Sequence, residues 1–209
     1  SNAWVRILTP GSTNPFAGEL RTLARVAAAP LSNDRFVVAG VVTYSWPGNF
    51  TVIQDQTGVA VCFPMQAIPR TRRDTEYLSH PGLTALRPGD RVEMVASKNT
   101  ERRFAPRLDD AEFRVTGHEV PLRGARVDEE QALSPEFDGR MVRMVGRIVD
   151  RDSYEQAGAR VHRLWVKTGE LTIPAVLVGS DPNEPTAPTG SRVELNGVCI
   201  ASPGTDRPV

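Results

Sequence analysis

Residues 50–63 read FTVIQDQTGVAVCF, and residues 162–177 read HRLWVKTGELTIPAVL. Each stretch consists of two short apolar runs joined by a polar turn, with Thr57-Gly58 in the first and Thr168-Gly169 in the second. A polar turn with glycine at a position that requires positive φ is typical of a β-hairpin. The sequence therefore predicts two hairpins of the same design.

The two hairpins belong to a longer internal repeat. Its other parts, in pairs, are RFVVAGVVTYS (35–45) with GRMVRMVGRIVDR (139–151), and LRPGDRVEMVAS (86–97) with APTGSRVELNGVC (187–199). The first pair is rich in β-branched residues and aligns Gly40 with Gly146, which predicts a long strand bent at a glycine. Short helix-permissive pieces, LRTLARVAAA and VDEEQALS, precede the two copies. Three matches in one order indicate a duplicated unit.

A bent strand, a hairpin, a variable connection and further strands follow the order of the OB fold, a five-stranded Greek-key barrel. We therefore predict an all-β protein with minor α content, built from two tandem OB-like barrels. The expected boundaries are residues 34–122 and 123–209, after a lead-in at 1–33 that holds Ser1-Asn2-Ala3, typical of an expression-tag scar, and a short helix. The residues around Phe113 and Val115 predict a fifth strand for the first copy.

The second copy has no counterpart of that fifth strand, because its last residues, SPGTDRPV, contain two prolines and a glycine. We expect the second barrel to lack its last strand, which either lies beyond residue 209 or is supplied by a neighbouring chain. The first copy also carries an insertion between Met65 and Leu86, which belongs to a connection and has room for one short helix.

Composition excludes several classes of function. Lysine plus arginine balance aspartate plus glutamate at 25 each, so no overall field attracts nucleic acid or an acidic membrane. No apolar run approaches the roughly 18 residues of a membrane span. The two cysteines, Cys62 and Cys199, each lie in an apolar run typical of a small buried hydrophobe, although a single bridge between them stays open.

No catalytic constellation is visible in the sequence. Gln56 separates Asp55 from Thr57, so the Asp-Thr-Gly signature of aspartic proteases is absent and a turn is the better interpretation. The three histidines lie far apart in the sequence, with no partner at metal-ligand spacing: His80, His118 and His162. Phosphate-loop, dinucleotide and hydrolase motifs do not occur. We expect a protein that is not an enzyme and that has no cofactor and no metal site.

One pair of loops has the composition of a binding site. In an OB barrel the loop after the first strand and the loop after the fourth strand approach one face. Here the sequence predicts that they bring together aromatic and cationic side chains, which stack on bases or sugars and pair with anions. The candidate ligand-binding residues are Tyr44, Trp46, Phe50, Arg102, Arg103 and Phe104, with Lys98 nearby. The alternative is that Tyr44 and Phe50 close the end of the barrel as core residues while the arginines are solvated.

The order of VVAGVVTYSWPGNFTVIQDQTGVAVCF, LRPGDRVEMVAS, FRVTGHEVPL and FDGRMVRMVGRIV resembles the tandem OB-like extracytoplasmic regions of bacterial sensor histidine kinases and related signalling proteins. The resemblance covers the chain after about Leu20. It implies a sensory or interaction module in the periplasm or otherwise outside the cytoplasmic membrane. Any membrane anchor and any kinase or other effector domain would lie in segments outside this chain. The insertion at Met65–Leu86 and the missing last strand depart from that pattern.

The leading hypothesis is therefore a non-catalytic sensor module that binds an unknown small molecule or a protein partner. The alternative is a single-stranded nucleic-acid-binding OB protein, against which the zero net charge argues, because such binding depends on phosphate neutralisation. A third option is a spacer that only mediates contacts in a homodimer.

Overall fold

The computed structural model describes residues 14–31, 34–46, 49–64, 86–99, 105–118, 123–156, 159–178 and 187–200. The first half of the chain contributes six strands: β1 (Leu20–Arg21), β2 (Arg35–Trp46), β3 (Phe50–Gln54), β4 (Val59–Pro64), β5 (Asp90–Lys98) and β6 (Arg107–His118). The second half contributes five: β7 (Ala125–Arg126), β8 (Met141–Gln156), β9 (Ala159–Thr168), β10 (Leu171–Val178) and β11 (Arg192–Val198). The helices are α1 (Leu23–Ala28), α2 (Glu129–Ala132) and two 3-10 turns at Pro15–Ala17 and Pro135–Phe137. The all-β prediction with minor helix is confirmed.

The first sheet closes on itself. Its strand order is β1-β2-β3-β4-β6-β5, and β5 also pairs with β2, so five long strands form a ring. All neighbours in the ring are antiparallel except β4 and β6, which run parallel. Strand β2 pairs with β5 through residues 35–41 and with β3 through residues 41–46, so it bends where it changes partners. Gly40 lies at that point, and a Cβ there would be 2.9 Å from the carbonyl oxygen of Gln54.

The interior of this ring is filled by aliphatic side chains and closed at one end by α1. Leu23 and Val26 of α1 are 1% and 0% exposed and belong to the same cluster as Val38, Ile53 and Met94. The predicted lead-in helix is therefore present and forms part of the first unit's core. Because it buries two large apolar residues there, its removal would open that core to water.

The second sheet stays open. Its order is β10-β9-β8-β11, with the two-residue β7 paired to β8. Within the described ranges, β10 and β11 do not pair with each other and no strand lies between them. Arg192-Val193-Glu194 lies in this sheet, whereas Arg91-Val92-Glu93 lies in the first, so the duplicated segments build two separate sheets. The assignment of each unit to the OB fold stays a prediction.

The repeat is visible in the strand register. Gly40 pairs with Val92, and Gly146 pairs with Val193 at the equivalent place. Each long strand also contains an irregularity at the same distance from its glycine, after Val42 in β2 and after Ile148 in β8. Residue positions in the two units can therefore be matched one to one through the pairing.

The two hairpin turns differ, which corrects one expectation. Gly169 has φ of +53°, as predicted, and β9 and β10 are joined tightly there. Gly58 is not among the positive-φ glycines of the described residues, so the predicted reason for that glycine is wrong. The carboxylate of Asp55 organises the first turn instead: its Oδ1 accepts hydrogen bonds from the backbone N–H groups of Thr57 and Gly58 at 2.7 and 2.8 Å.

The units meet at a small buried seam. Val198 of β11 packs against a cluster on the outer face of the first sheet that contains Val52, Val59 and Val61. Next to it, the backbone N–H of Ala105 donates a buried 2.8 Å hydrogen bond to Oδ2 of Asp138, which is 3% exposed. A buried charge-assisted hydrogen bond of this kind ties the second unit to the first.

Candidate ligand-binding face

A β-bulge places the candidate aromatic residues on the outside of the first unit. Val42 pairs with Ile53 and points into the core, but the register then shifts, so that Tyr44 pairs with Val52. Without the bulge, strict alternation would put Tyr44 on the inner face with Val42. Thr43 occupies the bulge, and its buried hydroxyl donates to the carbonyl oxygen of Val52 at 3.3 Å.

Four rings form one continuous patch on this outer face, which we call the aromatic cluster: Tyr44, Trp46, Phe50 and Phe63. Phe50 is at its centre, with ring centroids 5.6 Å from Tyr44, 5.9 Å from Trp46 and 6.0 Å from Phe63. All three pairs are tilted, in the distance range of favourable aromatic contacts. All four side chains are partly exposed, so the patch is accessible at the surface.

A cation completes one end of the aromatic cluster. The guanidinium carbon of Arg107, the first residue of β6, lies 4.0 Å from the centroid of Phe63. Its Nε also donates to Oδ1 of Asp109 at 2.8 Å, which fixes the orientation of the guanidinium. A positive charge over a ring face is attracted by the ring quadrupole. The site therefore offers ring faces and one oriented cation.

One polar atom of the aromatic cluster is buried without a hydrogen-bond partner among the described residues. It is the indole Nε1 of Trp46. A buried polar group of this kind is costly, so it is usually satisfied by water or a ligand. Burial also raises the pKa of Tyr44 to about 12.

The structure brings three of the six predicted site residues together: Tyr44, Trp46 and Phe50. The other three, Arg102, Arg103 and Phe104, lie outside the described residues, so their place stays a prediction. Lys98 does not belong to the site, because its Nζ donates to the carbonyl oxygens of Ala27 and Ala29 at 2.7 and 2.6 Å.

Sequence reasoning missed Phe63 and Arg107. Phe63 alternates with Val61 and Val59, which are on the outer face, and this period of two could have located it. Tyr44 and Phe50 pack partly buried on the cluster that holds Val52, and not on the cluster inside the ring. The alternative that they close the end of the barrel as core residues, with solvated arginines, stays open, because Arg102 and Arg103 lie outside the described residues.

The matching positions of the second unit carry different chemistry. Trp46 pairs with Phe50 across β2 and β3, and the equivalent pair across β8 and β9 is Asp152 with Arg163. Arg163 Nε donates to Oδ1 of Asp152 at 3.0 Å, and its guanidinium lies 5.5 Å from the Tyr154 ring and 5.0 Å from the Trp165 ring. An ion pair thus replaces the aromatic contact.

The remaining sequence candidates have structural roles. Oδ2 of Asp55 accepts from the N–H of Leu23 at 2.8 Å, which caps α1. His118 bonds to Asp90 at 2.6 Å and is mostly exposed, whereas His80 lies outside the described residues. The cysteines are free thiols in different clusters, and burial raises the pKa of Cys62.

In the described part of the chain, no group of three His, Cys, Asp or Glu side chains comes together to hold a metal ion. In the same residues no helix has the length and apolar character needed to cross a membrane. No protein-family model matches the sequence, and the comparison with curated proteins gives no match.

Proposed function

We propose that this chain is a non-catalytic sensor module of a bacterial signalling protein, and that it binds a small ligand with a flat ring on the aromatic cluster. The observation that carries the proposal is the packing of three rings around Phe50, with Arg107 over one of them, on a partly exposed sheet face. Stacking on such rings suits a nucleobase or a sugar, and the guanidinium of Arg107 suits an anionic group on that ligand.

The position of the cluster supports a sensing role. Tyr44, Phe50 and Phe63 pack on the same buried cluster that Val198 of the second unit contacts. A ligand that moves these rings therefore changes the surface against which the second unit docks. A ligand shifts the balance between two arrangements of the units when it binds one arrangement more tightly than the other. The periplasmic or extracytoplasmic location follows from the sequence resemblance alone.

The test is a thermal-shift screen of mononucleotides and small saccharides, followed by titration of each hit by calorimetry. Trp46→Ala is expected to weaken binding about tenfold or more, because a stacked ring contributes about 1 to 3 kcal/mol. Trp165→Ala is the matched control, since it removes an indole from the second unit and is expected to leave the affinity unchanged. Equal affinity of Trp46→Ala and the unchanged chain, or an equal loss in both variants, would contradict the proposal.

Nucleic-acid binding is expected to be weak. Arg107 is already paired with Asp109, so its charge is partly neutralised, and the whole chain has zero net charge. Phosphate neutralisation supplies most non-specific affinity. Submicromolar binding of a fluorescent single-stranded oligonucleotide at physiological salt, with a steep salt dependence, would favour the nucleic-acid alternative instead.

A further inference from the structure

The open edge of the second sheet, along β11, corresponds to the edge of β5 in the first sheet, where β6 is paired. Val38 pairs with Met94 in the first unit, and the equivalent pair in the second is Met144 with Leu195. In the first unit β6 lies next to β5, with Phe113 opposite Met94. In the described residues of the second unit, β11 pairs with β8 alone.

Beside the unpaired edge of β11 that the described residues show, apolar side chains are partly exposed. Val92 and Met94 of β5 are 1% and 0% exposed, because Leu108 and Ala111 of β6 and the ring of Phe113 complete the core around them. The matching residues of β11, Val193 and Leu195, are only half-buried. Ile173 and Ala175 of β10 are half-buried too, and all four side chains pack against the small core of Ile148, Leu164 and Val166. Covering these side chains is favourable in proportion to the apolar area removed from water.

The two edges of the gap differ in their ability to accept a strand. In the first unit the N–H of Val61 on β4 donates to the carbonyl oxygen of Pro106 at 3.0 Å. Val61 pairs with Val52 in the first unit, and Pro174 of β10 pairs with Trp165 at the equivalent place in the second. Pro174 therefore stands where Val61 has its N–H donor. Proline has no N–H and protects a sheet edge against strand addition. Strand β11 contains no proline, so its edge has its full set of backbone donors and acceptors.

We propose that the free edge of β11 binds an extended segment of another polypeptide, which adds as an antiparallel strand in the position that β6 occupies in the first unit. Main-chain hydrogen bonds to β11 would supply affinity, and alternate apolar side chains pointing inward would cover Val193 and Leu195. The pattern expected of the partner is that of β6, with leucine, alanine and phenylalanine at the inward positions. The strand site, at Val193 and Leu195, and the aromatic cluster consist of different residues.

The probe is a fluorescent peptide with the sequence of β6, RLDDAEFRVTGH, added to the full chain and followed by anisotropy. We expect saturable binding. The affinity is expected to fall at least tenfold when the three inward positions of the peptide carry Leu108→Asp, Ala111→Asp and Phe113→Asp. In the chain, Leu195→Asp is expected to abolish binding, whereas Glu194→Ala on the opposite face of β11 is expected to retain it. Trp46→Ala is expected to bind the peptide normally, which separates this site from the aromatic cluster.

A second measurement does not depend on whether Leu195→Asp folds. Hydrogen exchange of the unmodified chain with and without peptide is expected to show new protection on β11 and unchanged protection on β5. Four results would overturn the proposal: no saturable binding, binding with no protection of β11, loss of binding in Trp46→Ala, or protection of β11 that rises with protein concentration alone. The last result would mean that a second copy of the chain fills the edge.

Discussion

The two halves of this chain have the same backbone plan and different closure. Both units place a bulge at the same point of their long strand, and both pair a glycine with the valine of an Arg-Val-Glu segment. In the first unit β6 joins β4 to β5 and closes the ring, whereas the described residues of the second unit leave β10 and β11 apart. The comparison shows that strand pairing and bulge position can be kept while closure and surface chemistry change.

The largest difference is expected when the matched core residues are truncated. Met94→Ala should lower the free energy of unfolding by about 2 to 5 kcal/mol, because Met94 is fully buried and leaves a cavity. Leu195→Ala at the equivalent position should cost about 1 to 2 kcal/mol, since the half-buried side chain is already partly hydrated. Urea denaturation of both variants measures the two losses in free energy of unfolding. Equal losses would mean that the second core is as closed as the first.

The bend in each long strand should be equally intolerant of a side chain. A Cβ at Gly146 would be 2.4 Å from Val166 Cγ1 and 2.7 Å from the carbonyl oxygen of Lys167, and at Gly40 it would meet the Gln54 carbonyl oxygen at 2.9 Å. Gly40→Ala and Gly146→Ala are each expected to destabilise by about 1 to 3 kcal/mol through overpacking. Gly197→Ala, where a Cβ would have nothing within 4 Å, is the control for thermal denaturation. Tolerance of alanine at Gly40 or Gly146 would show that the bend does not need glycine.

The first hairpin turn should make the first unit sensitive to acid. Partial burial alone would raise the pKa of Asp55, but hydrogen bonds from Leu23, Thr57 and Gly58 outweigh it and lower that pKa. A lowered folded-state pKa means that the stabilisation is complete above the unfolded pKa of about 4 and is lost as pH falls through the folded value. Asp55→Asn is therefore expected to reduce stability by about 1 kcal/mol at pH 7 and to flatten its decline in acid.

That expectation is checked by denaturation at several pH values between neutral and strongly acidic. The contribution of Asp55 is the difference between the two proteins at each pH. A difference that is constant across the series would contradict the account of the turn.

The smallest effect is expected at the ion pair that replaces the aromatic contact. Arg163 and Asp152 are on an exposed face, and exposed ion pairs add little stability. Arg163→Ala should therefore leave the denaturation midpoint nearly unchanged, whereas Phe50→Ala at the matched position should lower it, because Phe50 packs against three rings. A larger loss for Arg163→Ala than for Phe50→Ala would reverse this part of the comparison.

Much of this architecture could be predicted from the sequence. The glycine-centred strands, the hairpins and the short lead-in helices follow from alternation, turn residues and helical spacing, and the structure contains them. The bulge at Thr43 could not be predicted, because nothing in the residue types marks where the alternation of β2 changes phase. For the same reason the sequence left open whether Tyr44 points into the barrel or lies on its outer face.

The site could be predicted only in part. Trp46 and Phe50 were found because they flank one loop, whereas Arg107 reaches Phe63 through a cross-strand contact that depends on the parallel pairing of β4 with β6. Contacts between strands that are distant in sequence depend on register, and register here depends on bulges. The role of Asp55 was predicted as a turn, but its cap on α1 required the tertiary contact with Leu23.

Hydrogen exchange of the backbone amides in β5 and β11, followed by NMR in the isolated chain, tests the central difference most directly. Strand β5 pairs with β2 on one side and β6 on the other, whereas β11 pairs only with β8 in the described residues. Paired amides exchange slowly and those at a free edge exchange rapidly. We expect slow exchange along the whole of β5 and alternate slow and fast exchange along β11. Uniformly slow exchange along β11, equal to that of β5, would contradict the account of a closed first unit and an open second one.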